Sequence, residues 1–156
     1  MSDEGSLNVD FTDLLEALSE ANADFLVVGA HALAVHGITR ATGDLDVLVR
    51  PTTENAERVV HALRAFGAPL SQHGVTALDL SRPGTVYQMG LPPRRIDLLT
   101  QLSGVDFDEA WAGRSTVMVA GRPVAFLGRE ALLENTRAAG RPKELLDVEL
   151  LEKQRG

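Results

Sequence analysis

The sequence predicts an α/β or α+β domain built on a small mixed β-sheet covered by helices. Three observations carry that expectation. Helical and strand-like segments alternate from end to end, glycine and proline punctuate the joints, and apolar residues recur at helical spacing in some segments and as short runs in others.

Taken in order, Asp10 or Thr12 is placed to cap a first helix whose Phe11, Leu14, Leu15 and Leu18 form one apolar face. FLVV, residues 25–28, is a short buried strand stopping at Gly29. AHALAVH, residues 30–36, is rich in helix formers and ends at Gly37. A strand over 44–49 is closed by Arg50 and Pro51. Residues 53–66 give the clearest helix, with Ala56, Val59, Val60, Leu63 and Phe66 on one face and Gly67 at its end. Beyond a stretch broken by Gly and Pro, strands over 85–89 and 95–100 read as a hairpin around LPP. A short helix over 107–111 follows, then a second hairpin turning at Ala120-Gly121, then two helices divided by Gly140-Arg141-Pro142.

A length of 156 residues fits a single domain, with residues 1–9 read as a flexible N-terminus. The absence of cysteine excludes disulfides, thiolate zinc sites and a cysteine nucleophile. The start, MSDEGSLNVD, is acidic where a signal peptide is basic and then apolar, and the longest apolar run is far too short to span a bilayer. The expectation is a soluble, cytoplasmic protein that does not associate with membranes. A formal charge of −7 argues against bulk DNA binding, which needs basic surface. An open hairpin edge offers a surface on which two copies can pair.

The stretch ATGDLDVLV carries the chemistry. Asp44 and Asp46 are two apart on a strand, so they share a face with Cβ atoms about 7 Å apart. Two carboxylates about 4 Å apart at an effective dielectric near ~20 repel by about 4 kcal/mol. Protonating one acid offsets that repulsion, as does an arginine between them, but a divalent cation does so best because each aspartate can give it an oxygen. Magnesium suits such a site. The alternative is a turn in which the aspartates bond local backbone. Upstream, FLVV leads through Gly29 into a helix whose first N–H groups suit a phosphate. Downstream, Asp97 in RRIDLLT lies between Ile96 and Leu98, where a carboxylate needs a partner. Either Arg94 or Arg95 can supply it, and alternation of strand faces is read as disfavouring Arg95.

With these residues in view, VVGAHALAVHGITRATGDLDVLV resembles the signature of the nucleotidyltransferase fold, the superfamily of DNA polymerase beta. The segments PGTVYQMGLPPRRIDLLT, GVDFDEAW and GRPKELLDVELLE resemble the small bacterial nucleotidyltransferase-like proteins related to toxin–antitoxin and abortive-infection transferases. The likeness covers residues 10–152. It implies a nucleotidyltransferase fold with C-terminal helices, in which Gly29 and the N–H of Ala30 hold a nucleoside triphosphate. Asp44 and Asp46 hold its magnesium, or manganese, and Asp97 completes a second metal site that activates an acceptor hydroxyl on a protein, an RNA or a small molecule. A nucleotide-sensing or partner-binding module without transfer activity, working with a partner protein of a toxin–antitoxin pair or defence system, is the alternative. The sequence departs from the family at Ala30, where a glycine or serine is common, and at Thr136, where relatives carry a lysine. Arg40, Arg137, Arg141 and Lys143 are the remaining candidates for phosphate contact, against a plain reading of the last three as a solvated helix end.

His31 and His36 are five apart and do not meet on one helix face, so a shared zinc site is not expected. Phe107 and Trp111, four apart, read as a packing anchor. No serine stands in a G-x-S-x-G turn, which leaves a hydrolase triad without support.

Overall fold

A computed structural model describes residues 9–38, 44–91 and 94–153, apart from the side chains of residues 9, 143 and 144. Arg40 and residues 1–8 therefore lie outside the described residues, as does the side chain of Lys143. The elements in chain order are α1 (Val9–Glu20), β1 (Phe25–Val28), α2 (Gly29–Val35), β2 (Leu45–Val49), α3 (Thr53–Phe66), α4 (Leu70–His73) and α5 (Ala77–Leu80). They continue as β3 (Val86–Met89), β4 (Ile96–Leu99), α6 (Phe107–Ala112), β5 (Ser115–Val119), β6 (Arg122–Phe126), α7 (Arg129–Ala139) and α8 (Pro142–Lys153).

Most elements follow from local sequence. The first helix starts at Val9, upstream of the expected caps, so Asp10 falls in its first turn, where a negative charge suits the helix dipole. Phe11, Leu14, Leu15 and Leu18 are buried as one stripe. Thr52 caps α3 by accepting from the Asn55 N–H, and Gly67 ends it at φ 99°. The β5–β6 hairpin turns on Ala120 and Gly121, both at positive φ. The short helices α4 and α5 were not expected; Thr76 and Asp79 form a capping box that starts α5.

The strands form one mixed sheet in the order β3-β4-β2-β1-β6-β5. Antiparallel pairs join β1 to β2, β3 to β4 and β5 to β6, while β2 runs parallel to β4 and β1 to β6. Two faces result from the alternation of side chains. Phe25, Val27, Leu45, Val47, Val49, Tyr87, Met89, Ile96 and Leu98 share one face, and all are buried. The other face carries Leu26, Val28, Asp46, Leu48, Asp97, Leu99, Val86 and Gln88. Its burial falls off across the sheet, from Leu26 and Leu48 in the core to Val86 at 55% exposure on the edge strand β3. Val86 and Gln88 of β3 are its exposed residues, while Asp46, Asp97 and Leu99 are partly buried.

A polar anchor fixes the ends of the two central strands. Asn55, 2% exposed, accepts from the Asp24 N–H at 2.7 Å and donates to the carbonyls of Asp24 and Arg50 at 3.0 and 3.1 Å. A buried amide with its bonds satisfied ties α3 to the start of β1 and the end of β2. Arg50 adds an ion pair to Asp24 at 2.9 Å, a second to Asp108, and stacks 4.5 Å from the centroid of the Phe107 ring. Phe107 and Trp111 stack at 5.7 Å, the packing anchor expected of them. No helix among the described residues is long and apolar enough to cross a membrane.

Candidate active site

The register of the sheet sets Gln88, Asp97, Asp46 and Val28 in one row across β3, β4, β2 and β1. Asp46 and Asp97 are thus direct neighbours on parallel strands, close enough for their carboxyl groups to compete for a proton. Asp46 holds one unusually well: burial, then the charges of Asp97 and Asp44, push its pKa from 3.8 up to about 6, against the opposing pull of Arg95.

Gly29 follows Val28 of the row as the first residue of α2. It sits at φ +68°, a conformation that side chains disfavour, and a Cβ added there would lie 2.3 Å from Asp46 Oδ2. Both reasons demand glycine. The bare backbone lets the Asp46 carboxylate lie directly against the first turn of α2, whose N-cap, Val28, offers no side-chain bond to the helix N–H groups. Ala30 follows in that turn, partly exposed.

Arg95 is the residue that sequence reasoning misplaced. Expected to point away from Asp97, it lies two residues before it and therefore shares its face. Its Nε donates to Asp97 Oδ1 at 3.0 Å and its Nη2 to Asp97 Oδ2 at 3.3 Å, while the same Nη2 lies 3.3 Å from Asp44 Oδ2. One guanidinium therefore bridges two of the three acids. Arg94 is exposed.

His31 supports the row from α2. It hydrogen-bonds the backbone at Asp44, meets the Phe11 ring edge-on at 5.8 Å, and has its pKa lowered by burial. His36 lies elsewhere, with Nε2 3.0 Å from the Leu127 carbonyl, so the two histidines form no joint site.

Of the other candidates, Arg137 pairs with Glu152 on α8, and Arg141 is exposed at the α7–α8 junction. Thr136 is 5% exposed and its hydroxyl donates to the Leu132 carbonyl at 2.6 Å. That position lies on the buried face of α7, where a lysine would not stand in an open cleft. Gln88 was missed in the sequence. It is exposed beside Asp97, and only the β3–β4 register could have singled it out.

The donor set fits a hard divalent cation in kind: three carboxylates, two of them close enough to share a proton, which is the place a cation can take. As the side chains stand, with Arg95 across Asp44 and Asp97, no three acids or histidines among the described residues are gathered as a ready metal cluster.

No family model matches the chain, and no curated protein matches it in sequence. Solved structures do. The antibiotic-resistance factor ANT(2'')-Ia superposes with a TM-score of 0.54 at 20% identity, covering 94% of this chain and 83% of that one. The same enzyme in complex with adenylyl-2''-tobramycin gives 0.56 at 18%, with 94% and 87% covered. The lincosamide antibiotic adenylyltransferase LnuA, lincomycin-bound, gives 0.53 at 10%, with 94% and 98% covered. With its mixed six-stranded sheet, its glycine turn and its row of acids, the chain has the nucleotidyltransferase fold.

Proposed function

We propose that the protein is a nucleotidyltransferase that moves a nucleoside monophosphate from a nucleoside triphosphate to a hydroxyl of a small-molecule acceptor. The observation that carries this reading is the juxtaposition of Asp46 and Asp97 across β2 and β4, with Asp44 on the same face and Gly29 directly over Asp46. Such a cluster opposes stability in the resting protein, which is the signature of a site built for a bound partner.

In this reading the N–H groups of Gly29 and Ala30 receive the phosphates, and Asp44 and Asp46 are the residues that would hold magnesium or manganese. When bound, the cation neutralises charge on the triphosphate and makes the acceptor hydroxyl more acidic. Asp97 completes the cation site and orients that hydroxyl on the open side of the row, beside Gln88. The hydroxyl oxygen forms its bond to the α-phosphorus, the bond to the bridging oxygen breaks, and pyrophosphate leaves with that electron pair. The proton passes to the Asp97 carboxylate. The small-molecule acceptor is favoured because ANT(2'')-Ia and LnuA, which share the fold, were solved with adenylyl-2''-tobramycin and with lincomycin. Arg137, Arg141 and Lys143 have no assigned part in it.

A second reading rests on Arg95. Its hold on Asp97 and Asp44 is what a nucleotide-sensing or partner-binding module of a toxin–antitoxin or defence system would show if transfer activity were absent. Incubation with each α-labelled nucleoside triphosphate, magnesium and a panel of hydroxylated small molecules separates the two. The enzyme gives labelled acceptor with wild type and none with Asp44→Asn or Asp46→Asn. Transfer that survives both substitutions refutes the mechanism. Nucleotide binding with no transfer to any acceptor selects the module.

A further inference from the structure

We infer that Arg95 is the resident counter-cation of the acid row, a positioning residue whose guanidinium and the divalent cation are alternative occupants of the space between Asp44 and Asp97. The inference rests on the nucleotidyltransferase reading and adds to it a coupling between cation and nucleotide.

The geometry is specific. Arg95 engages both oxygens of Asp97, at 3.0 and 3.3 Å, and Oδ2 of Asp44, at 3.3 Å. A cation shared by the two acids must use at least one oxygen of Asp97, and the fork holds both of them; on Asp44 it reaches Oδ2 alone. Asp97 is only 14% exposed, so it has little freedom to turn a free oxygen elsewhere while the fork is in place. A second positive charge cannot share that volume. The backbone beneath the fork is fixed, since the Arg95 carbonyl accepts from the Leu45 N–H at 3.0 Å. Exchange therefore needs only a side-chain swing, with no movement of the strand.

The consequence is a conditional site. Without nucleotide, the guanidinium already balances two of the acids, and a divalent cation must evict it from Asp97. With nucleotide, the displaced guanidinium stays within a side chain's length of the row and has phosphate oxygens to pair with. Cation and nucleotide then favour each other's binding, reciprocally. The fork also keeps Asp44 and Asp97 pointed into the row while the site is at rest.

Titration of Mn2+ followed by its electron paramagnetic resonance signal tests this, with and without a non-hydrolysable nucleoside triphosphate. For wild type, Mn2+ alone binds weakly and nucleotide strengthens it. For Arg95→Gln, Mn2+ alone binds tighter by about tenfold, the scale on which one neighbouring charge acts, and the gain from nucleotide shrinks. Arg94→Gln removes the same charge one residue away, from an exposed side chain, and leaves both values near wild type. Arg95→Lys, which keeps the charge but cannot fork two carboxylates, falls between wild type and Arg95→Gln and serves if the glutamine variant fails to fold. Purely structural loss would lower Mn2+ affinity. Equal or weaker binding by Arg95→Gln, or an equal gain in Arg94→Gln, overturns the inference and leaves the transferase standing. Mn2+ binding by no variant, with nucleotide present, overturns both.

Discussion

Replacing Asp46 by asparagine should make the metal-free protein more stable at neutral pH while abolishing transfer. The folded environment raises the Asp46 pKa from 3.8 to about 6, burial first and then the charges of Asp97 and Asp44. A rise of about two pH units converts to about 3 kcal/mol, which partial exposure and screening reduce to about 2 kcal/mol. The sign follows from where the proton sits. The folded protein holds it more tightly than the unfolded chain, so this stabilisation is complete below pH 3.8 and is lost as the pH rises through about 6. Wild type at pH 7 has lost it. Asparagine is neutral at every pH and close to isosteric, so it keeps the contact with Gly29 and can donate a hydrogen bond to Asp97. Thermal unfolding in EDTA by calorimetry should place Asp46→Asn above wild type by about 4–8 °C at pH 7 for a chain of this length. The gap should close toward pH 4. Saturating magnesium with nucleotide should raise wild type and leave the variant unmoved. A variant no more stable than wild type at pH 7, with a parallel pH profile, would refute the claim that Asp46 is electrostatically strained.

Three other outcomes are expected. Gly29→Ala meets both the positive φ and the Asp46 carboxylate 2.3 Å from the new Cβ; it should lower the melting temperature, with a loss of at least ~1 kcal/mol, and weaken nucleotide binding in calorimetric titration. Asn55→Ala removes three bonds and leaves the Asp24 N–H without its acceptor, while the Asp24 and Arg50 carbonyls keep the backbone donors of Arg50 and Thr52, so urea unfolding should show a loss of about 2–3 kcal/mol with no change in m-value. Thr136→Lys, the residue that the family resemblance suggests, puts an ammonium at a buried position; it should destabilise by about 2 kcal/mol or more and leave nucleotide affinity no higher, as read by the same titrations.

Much of the architecture was legible because each long element carries its own signal. The stripe of α3, with a threonine cap and a terminal glycine, needs no tertiary context, and neither does the Ala120-Gly121 hairpin. The helices α4 and α5 are single turns, too short for apolar periodicity to register, and only the Thr76/Asp79 box announced one of them. The acids were legible as types and spacings, but their pairing was not. Strand order places β4 beside β2 and carries β3 to the edge, and nothing local in RRIDLLT fixes the register that sets Asp97 against Asp46. Arg95 was within reach of the sequence: two residues from Asp97, it had to share that face. The basic C-terminal set illustrates the opposite limit. Arg137 stands out in the sequence by charge alone, and its exposed ion pair with Glu152 of the neighbouring helix is a contact that only the α7–α8 junction brings near.

Charge balance in the row connects these points. Three carboxylates against one guanidinium leave two negative charges when Asp46 is ionised, as it largely is above its pKa of about 6. A bare triphosphate approaching that row is repelled, whatever the helix dipole of α2 contributes, because fractional dipole charge is small beside two full carboxylates. A divalent cation that takes the place of Arg95 cuts the excess to one negative charge and releases the guanidinium toward the phosphates. The same residues that make the resting protein less stable therefore require that nucleotide arrive with its cation, and Arg95 sets how much positive charge the row accepts.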